Sequence, residues 1–248
     1  MIYYFSATGN SKYAALKLAH LTGDRAVNII QLLKKGVPEC GVNDVTGFVF
    51  PVYYSGLPEV VLRFAKVERI RESLGDYVYA VITCGGKDSA AADKILSKAL
   101  EREVDYSVSL SMPDNYVFMY DPSGKERCME KLRAADSALD KIAAEVAAKT
   151  CKRDSGLIGS VLSEVMYPLY NLMRRTKKFY ADGNCTSCGL CASLCPDEAI
   201  RINNGKPKWV ADKCQHCTAC INTCPQSAIQ FGKETPKRRR YNIKNILK

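Results

Sequence analysis

Hydrophobic residues in the first 150 positions come in short runs separated by segments with helical spacing. Met1–Phe5, Ala26–Ile30, Thr46–Phe50, Tyr77–Thr83 and Asp105–Met112 are strand-length. Met1–Phe5, with Ile, Tyr and Phe, is apolar throughout and reads as a buried strand. Between them, Lys12–Leu21, Glu59–Ile70, about Ala90–Glu101 and a long Ala/Lys/Glu segment from about Ser123 to Lys149 read as helices. Strands alternating with helices predict an α/β fold with a doubly wound, five-stranded parallel sheet. A further helical stripe (Leu157, Val161, Leu162, Val165, Met166, Leu169, Tyr170, Leu172, Met173) lies in residues 154–178. It reads as a helix that docks the C-terminal part of the chain. An amphipathic membrane-surface helix is the alternative, because Arg174, Arg175, Lys177 and Lys178 gather at one end.

Beyond residue 180 the pattern is set by cysteine. Cys185, Cys188, Cys191 and Cys195 are followed by Pro196, and Cys214, Cys217, Cys220 and Cys224 by Pro225. Each run is C-x2-C-x2-C-x3-C-P, each continues to Ala-Ile (Ala199-Ile200, Ala228-Ile229), and the second lies 29 residues after the first. Three thiolates spaced three apart on one tight loop suit a cubane iron–sulfur cluster. Zinc would need four ligands in a tetrahedron, usually as two C-x2-C pairs with a longer loop between them. The proline has no N–H and fixes φ, so the chain leaves the cluster there. Disulfides fit poorly, since Met1 runs into an apolar strand with no basic export segment or small-residue cleavage site. Cys40, Cys84, Cys128 and Cys151 are scattered singly and read as small buried residues.

Composition narrows this further. A chain of 248 residues with 47% hydrophobic content supports one or two domains. Its formal charge of +10 is uneven: residues 1–150 balance 19 basic against 19 acidic side chains, while residues 233–248 hold seven basic and one acidic. Two cubane clusters with their thiolates would cancel part of the excess, so the charge is no argument for nucleic acid. No stretch is long and apolar enough for a transmembrane span. The expected setting is a reducing, oxygen-poor cytoplasm.

The turn after the first strand reads Ser6-Ala-Thr8-Gly9-Asn10-Ser11 and leads straight into a helix. Hydroxyls and free N–H groups at a helix start make an anion site. Neither GxGxxG nor GxxxxGK[ST] is present, so the turn is not a dinucleotide or nucleotide P-loop. The loops after strands three and four, Pro51-Val52-Tyr53-Tyr54-Ser55-Gly56 and Thr83-Cys84-Gly85-Gly86, would end at the same sheet edge. Tyrosine there can stack on a planar ring, and glycine lets backbone approach a ligand closely. The Met112-Pro-Asp-Asn115-Tyr116 turn lies at that edge too, and reads more simply as a Pro-Asp turn ending a strand.

Two resemblances follow. Residues 181–232 resemble a bacterial-type two-cluster ferredoxin, in which the fourth cysteine of each run serves the other cluster. That implies one 4Fe–4S cluster on Cys185, Cys188, Cys191 and Cys224, and a second on Cys214, Cys217, Cys220 and Cys195. Ser6–Ser11 resembles the T/S-x-T-G-N-T/S phosphate loop of flavodoxins, which holds the FMN phosphate by uncharged groups. It implies a flavodoxin-like strand order 2-1-3-4-5, with Pro51–Tyr54 and Gly56 and Thr83–Gly86 flanking the flavin. Nearly the whole chain therefore resembles the flavodoxin–ferredoxin fusion proteins of anaerobes. On that reading residues 1–150 are an FMN domain, 151–180 a linker or docking helix, 181–232 an α+β ferredoxin domain and 233–248 a solvated basic tail.

The resemblance implies an electron carrier that joins one-electron donors to two-electron chemistry, with no catalytic acid–base pair or nucleophile. Its partner would be a ferredoxin or another redox protein, possibly acidic and steered by the basic tail. An FMN-dependent reductase of a small molecule, fed by the clusters, is the alternative; a flavin-free docking module is the third. Trp209 is expected to pack over a cluster. His216, inside a C-x2-C, is expected to face solvent or donate N–H to sulfur, since eight cysteines already suffice as ligands.

Overall fold

The computed structural model describes residues 1–36, 43–86, 91–153 and 167–248. The chain divides into two compact units. The first comprises Met1–Ser6, Asn10–Met112 and Glu130–Tyr170; the second comprises Ala7–Gly9, Pro113–Met129 and Asn171–Lys248.

The first unit is built on a parallel sheet. Strands β1 (Ile2–Tyr4), β2 (Ala26–Asn28), β3 (Val45–Pro51), β4 (Tyr77–Cys84), β5 (Tyr106–Ser111) and β6 (Lys152–Arg153) lie in the order 2-1-3-4-5-6. Every adjacent pair is parallel. The first five strands have the flavodoxin-like order, with its switch point beside β1 and β3. The sheet has a sixth strand where the pattern predicts five, because Lys152 and Arg153 pair with Tyr106 and Ser107. These two residues are exposed and charged, so hydrophobic patterning carries no signal for them.

All eight residues of β4 are buried, which is why its sequence is an unbroken apolar run. Helices α1 (Asn10–Thr22), α2 (Ile29–Lys35), α3 (Glu59–Ala65), α4 (Glu68–Glu72), α5 (Ala92–Leu100) and α6 (Lys125–Ala147) accompany the sheet. Two predicted elements are redrawn. Ile29 and Ile30 belong to α2 and not to the second strand, because Asn28 caps that helix: its Oδ1 accepts from the Ile30 N–H at 2.8 Å. The predicted Glu59–Ile70 helix is two helices, since the chain leaves helical geometry at Val67 (ψ 122°) before α4. Most of the 154–178 stripe, residues 154–166, lies outside the described residues. In the helical residues 167–173, Tyr170 is buried while Leu169, Leu172 and Met173 are exposed, so no buried stripe continues there.

The second unit holds the cysteine tandem on small antiparallel pieces. Strand β7 (Phe179–Ala181) pairs with β10 (Ile229–Phe231), and β8 (Ile200–Asn203) pairs with β9 (Lys206–Trp209). Asn204 and Gly205, at φ 48° and 70°, join β8 to β9 in the two-residue form that suits strand twist. Short helices α7 (Leu190–Ser193) and α8 (Ala219–Thr223) follow the first three cysteines of each run. The core is Phe179, Ala199, Ile200, Ile221 and Ile229 with Cys195 and Cys214, joined by Val117. Residues 233–248 are not a solvated tail. Tyr241 and Ile243 are buried, Arg239 pairs with Asp121 at 2.7 Å, and Arg238 donates to the Val117 carbonyl at 2.8 Å. No helix among the described residues is long and apolar enough to cross a membrane.

Candidate metal centre and cofactor loops

The eight tandem cysteines surround two cavities in the second unit. Cys185, Cys188, Cys191 and Cys224 line one. Cys195, Cys214, Cys217 and Cys220 line the other. The fourth cysteine of each run thus sits in the cavity of the other run, the placement that the sequence resemblance implies. Among the described residues no three His, Cys, Asp or Glu side chains converge tightly enough for a single metal ion.

The backbone repeats as the sequence does. Ser187 and His216 both have positive φ (61° and 51°), as do Gly189 and Thr218 (75° and 61°) and Glu198 and Ser227 (50° and 48°). Each pair lies 29 residues apart, the offset of the tandem. Left-handed residues turn successive N–H groups to one side of the chain, which forms an anion-holding concavity. Ala199 N–H donates to Cys195 Sγ, and Ala228 N–H to Cys224 Sγ, each at 3.3 Å. This accounts for the repeated Cys-Pro-x-x-Ala: the residue four beyond the cysteine supplies a donor to its sulfur. Five of the six left-handed positions are not glycine, so composition does not announce them.

Burial pushes the Cys214 thiol up to about 12 and raises Cys191 and Cys195 as well. A metal must therefore displace protons as it enters, and loading is pH-dependent.

Trp209 lies where expected, in the wall of the Cys195–Cys214–Cys217–Cys220 cavity, stacked on Phe179 at 5.1 Å and 11°. His216 is buried, which corrects the expectation that it faces solvent; its backbone N–H does point to a sulfur, Cys214 Sγ, at 3.5 Å. Phe118, Phe179 and Phe231 surround its ring edge-on at 5.0, 5.8 and 5.3 Å. Its Nε2 lies 3.0 Å from the Arg175 carbonyl, so the neutral ring carries its proton there.

Burial chiefly, helped by the Arg174 charge and opposed by the Arg175 hydrogen bond, pushes the His216 pKa down to about 4. The unfolded chain takes up this proton near pH 6.5 and the folded chain does not. The His216 contribution to stability is therefore complete above about pH 6.5 and is lost as pH falls toward 4. The expected slope is at most about 1.4 kcal/mol per pH unit. Denaturant unfolding of His216→Phe between pH 7 and 5 should show a correspondingly flatter pH dependence than the parent.

Residues of the three predicted flavin loops lie at the C-terminal edge of the sheet. Ser11 Oγ and Thr83 Oγ1 are 2.8 Å apart, and the Val52 N–H donates to the Thr83 carbonyl at 3.0 Å, so these three residues come together within the first unit. Helix α1 has no acidic residue in its first turn, which leaves its N-terminus suited to an anion. Tyr53 to Gly56 close a tight turn through reciprocal 2.9 Å backbone bonds. Its central residues, Tyr54 and Ser55, are both left-handed (φ 48° and 61°), a conformation more usual for Asn-Gly. Backbone held this way must be over-determined by its surroundings. Tyrosine rings supply part of that support: Tyr54 stacks on Tyr170 at 5.2 Å and Phe5 meets Tyr53 edge-on at 6.2 Å.

In the β4 loop, Cys84 is buried, with Sγ 3.4 Å from the Gly86 carbonyl, whereas Gly85 and Gly86 are exposed. Lys131 on α6 donates to the Gly85 carbonyl at 2.8 Å. Sequence reasoning missed Lys131 and read Tyr170 only as part of a helical stripe; both reach these loops from helices remote in sequence.

Thr8 and Gly9 belong to the second unit, with Asn115. Asn115 Nδ2 donates to Thr8 Oγ1 at 2.7 Å, which leaves the Thr8 hydroxyl proton available to another acceptor. The Asn115 carbonyl accepts from Thr218 Oγ1 at 3.3 Å and from Asn222 Nδ2 at 3.0 Å. Asn115 is therefore more than a turn residue: it ties Thr8 to the loop between Cys217 and Cys220. Gly9 has φ 105°, and a Cβ there would meet Ile243 Cγ2 at 2.2 Å, so no larger residue fits.

Residues 177–225 match the family model of a 4Fe-4S dicluster domain. No curated protein matches the chain. Among solved structures, the Trp repressor binding protein of Bacillus subtilis is 12% identical over 57% of this chain and 94% of its own, at a TM-score of 0.38. A candidate flavoprotein of Bacteroides eggerthii is 19% identical over 57% and 96%, at 0.36. An azoreductase of Bacillus anthracis is 13% identical over 60% and 98%, at 0.35. At such scores the fold rests on the strand order and not on these likenesses. The chain joins a flavodoxin-like α/β sheet to a 4Fe–4S dicluster domain, an arrangement of the redox, electron-transfer class.

Proposed function

We propose that this protein is an electron carrier that holds FMN and two 4Fe–4S clusters and exchanges electrons with another redox protein. The observation that carries the reading is the sorting of eight cysteines into two four-cysteine cavities, with Cys195 and Cys224 exchanged between the runs. When bound, the clusters supply one-electron steps and the flavin one- or two-electron steps.

The chain's own residues have distinct tasks. Cys185, Cys188, Cys191 and Cys224 hold one cluster, and Cys195, Cys214, Cys217 and Cys220 the other. The Ala199 and Ala228 N–H groups draw charge from the sulfurs and hold the cluster loops in shape. Ser6, Thr8, Gly9, Asn10 and Ser11 take the FMN phosphate through hydroxyls and backbone N–H groups. The donor set fits this group, because it is uncharged, hydroxyl-rich and opens a helix with no acid in its first turn. Tyr53 and Tyr54 offer the ring a face to stack on, supported by Pro51, Val52 and Gly56. Thr83–Gly86 border it, with the Lys131 cation at Gly85.

Anaerobically isolated protein tests this. Iron and acid-labile sulfide should be present in equal amounts, with about one FMN released per chain on denaturation. Zinc in place of iron, or clusters without releasable flavin, would contradict it.

A further inference from the structure

A groove in the second unit lies against both cysteine cavities. One wall is the segment through β7 and the other is β9. Phe179 and Trp209 line the groove and also the cavity of Cys195, Cys214, Cys217 and Cys220. Pro207 lines the groove and also the cavity of Cys185, Cys188, Cys191 and Cys224. A molecule seated in the groove would be one side chain away from each set of thiols. The exposed ring of Tyr180 adds apolar contact at the edge.

The rim has a definite charge. Lys177, Lys206 and Lys208 all line the groove and are exposed. Lys206 Nζ donates to the Cys185 carbonyl at 3.1 Å; among the described residues Lys177 and Lys208 have no acidic partner. The acid in the groove, Asp182, turns its oxygens to the Asn184 N–H at 2.9 Å and to Gln230 Nε2 at 3.3 Å, within its own unit. The basic residues 238–240 have partners of their own within this unit. Arg239 pairs with Asp121, Arg238 donates to the Val117 carbonyl, and Arg240 donates to Gln230 Oε1 at 2.8 Å.

Resting on the electron-carrier reading above, we infer that this groove is the docking surface for an acidic one-electron carrier protein. Unpaired lysines draw its acidic face in through long-range attraction, and the aromatic floor seats it over the clusters. In the step itself the reduced partner loses one electron, a cysteine-held cluster gains it, and no bond or proton changes hands.

The test is stopped-flow reduction of the holoprotein by a reduced, acidic 2Fe–2S ferredoxin, with methyl viologen radical as a small cationic control. Lys177→Glu/Lys208→Glu should lower the bimolecular rate constant with ferredoxin about tenfold at low ionic strength. The gap should close as salt rises, because screening shortens the range of the attraction. Viologen should reduce this variant no more slowly than the parent, with unchanged cluster EPR spectra. Lys233→Glu/Lys237→Glu, which reverses as many exposed charges elsewhere, should leave the ferredoxin rate within about twofold. An unchanged ferredoxin rate in the first variant, or an equal fall in the second, overturns the assignment of the groove. If neither ferredoxin nor viologen reduces the parent protein, the electron-carrier reading fails first and the groove with it.

Discussion

Replacing Cys224 with serine should empty the cluster of the first cysteine run and spare that of the second, although Cys224 belongs to the second. The reason is placement: Cys224 lines the cavity of Cys185, Cys188 and Cys191, while Cys195 lines that of Cys214, Cys217 and Cys220. Each single substitution should about halve the iron content. Double variants separate the crossed from the uncrossed arrangement, because two losses at one site do not add. Cys224→Ser/Cys188→Ser should retain as much iron as Cys224→Ser alone, whereas Cys224→Ser/Cys217→Ser should retain almost none. If Cys224→Ser and Cys217→Ser instead remove the same cluster, each run serves itself and the crossed arrangement is wrong. The crossing also bears on stability. A module with a core this small gains when each cluster ties its two halves together, so loss of either should loosen both.

Ser11→Asp should weaken FMN binding at least about a hundredfold, roughly 2.7 kcal/mol, while affecting riboflavin far less. Ser11 is 1% exposed, lies in the first turn of α1 and contacts Thr83 at 2.8 Å. A carboxylate there would meet the phosphate head-on in a buried setting and lose the helix N-terminus to a charge of its own. Riboflavin has no phosphate and would not meet that repulsion. Equilibrium dialysis with both flavins measures the difference. Ser11→Ala, which removes one hydroxyl without adding charge, keeps the test valid should the aspartate disturb folding; it should weaken FMN about tenfold. Equal losses of FMN and riboflavin in both variants would mean that this turn does not hold the phosphate.

What patterning reveals here is the repetitive part. Strands β1 and β4 are apolar and buried throughout, so their runs are visible, and β5 shows as an alternation of Ser with Tyr, Val and Leu. The cysteine tandem is visible because a cluster demands fixed spacing. Elements decided by one local contact are harder to read: two β-branched residues at 29 and 30 suggest strand, yet the Asn28 cap makes them the start of a helix. Harder still are features that depend on distant partners. Nothing in Lys131 itself says that it reaches the Gly85 carbonyl, and nothing in His216 says that three phenylalanines enclose it. A run of basic residues reads as solvated until Asp121 and the Val117 carbonyl are found beside it. Asn115 is the instructive case at the candidate site. As a turn residue it is unremarkable, and its role emerges only from simultaneous bonds to Thr8, Thr218 and Asn222.

If the proposed carrier couples FMN to its two 4Fe–4S clusters, flash reduction of the clusters in the reconstituted holoprotein tests that coupling most directly. The account predicts that flavin absorbance then bleaches with a first-order rate constant that stays the same over a tenfold range of protein concentration. Bleaching whose rate rises in proportion to protein concentration, or a flavin that stays oxidised beside reduced clusters, would contradict it.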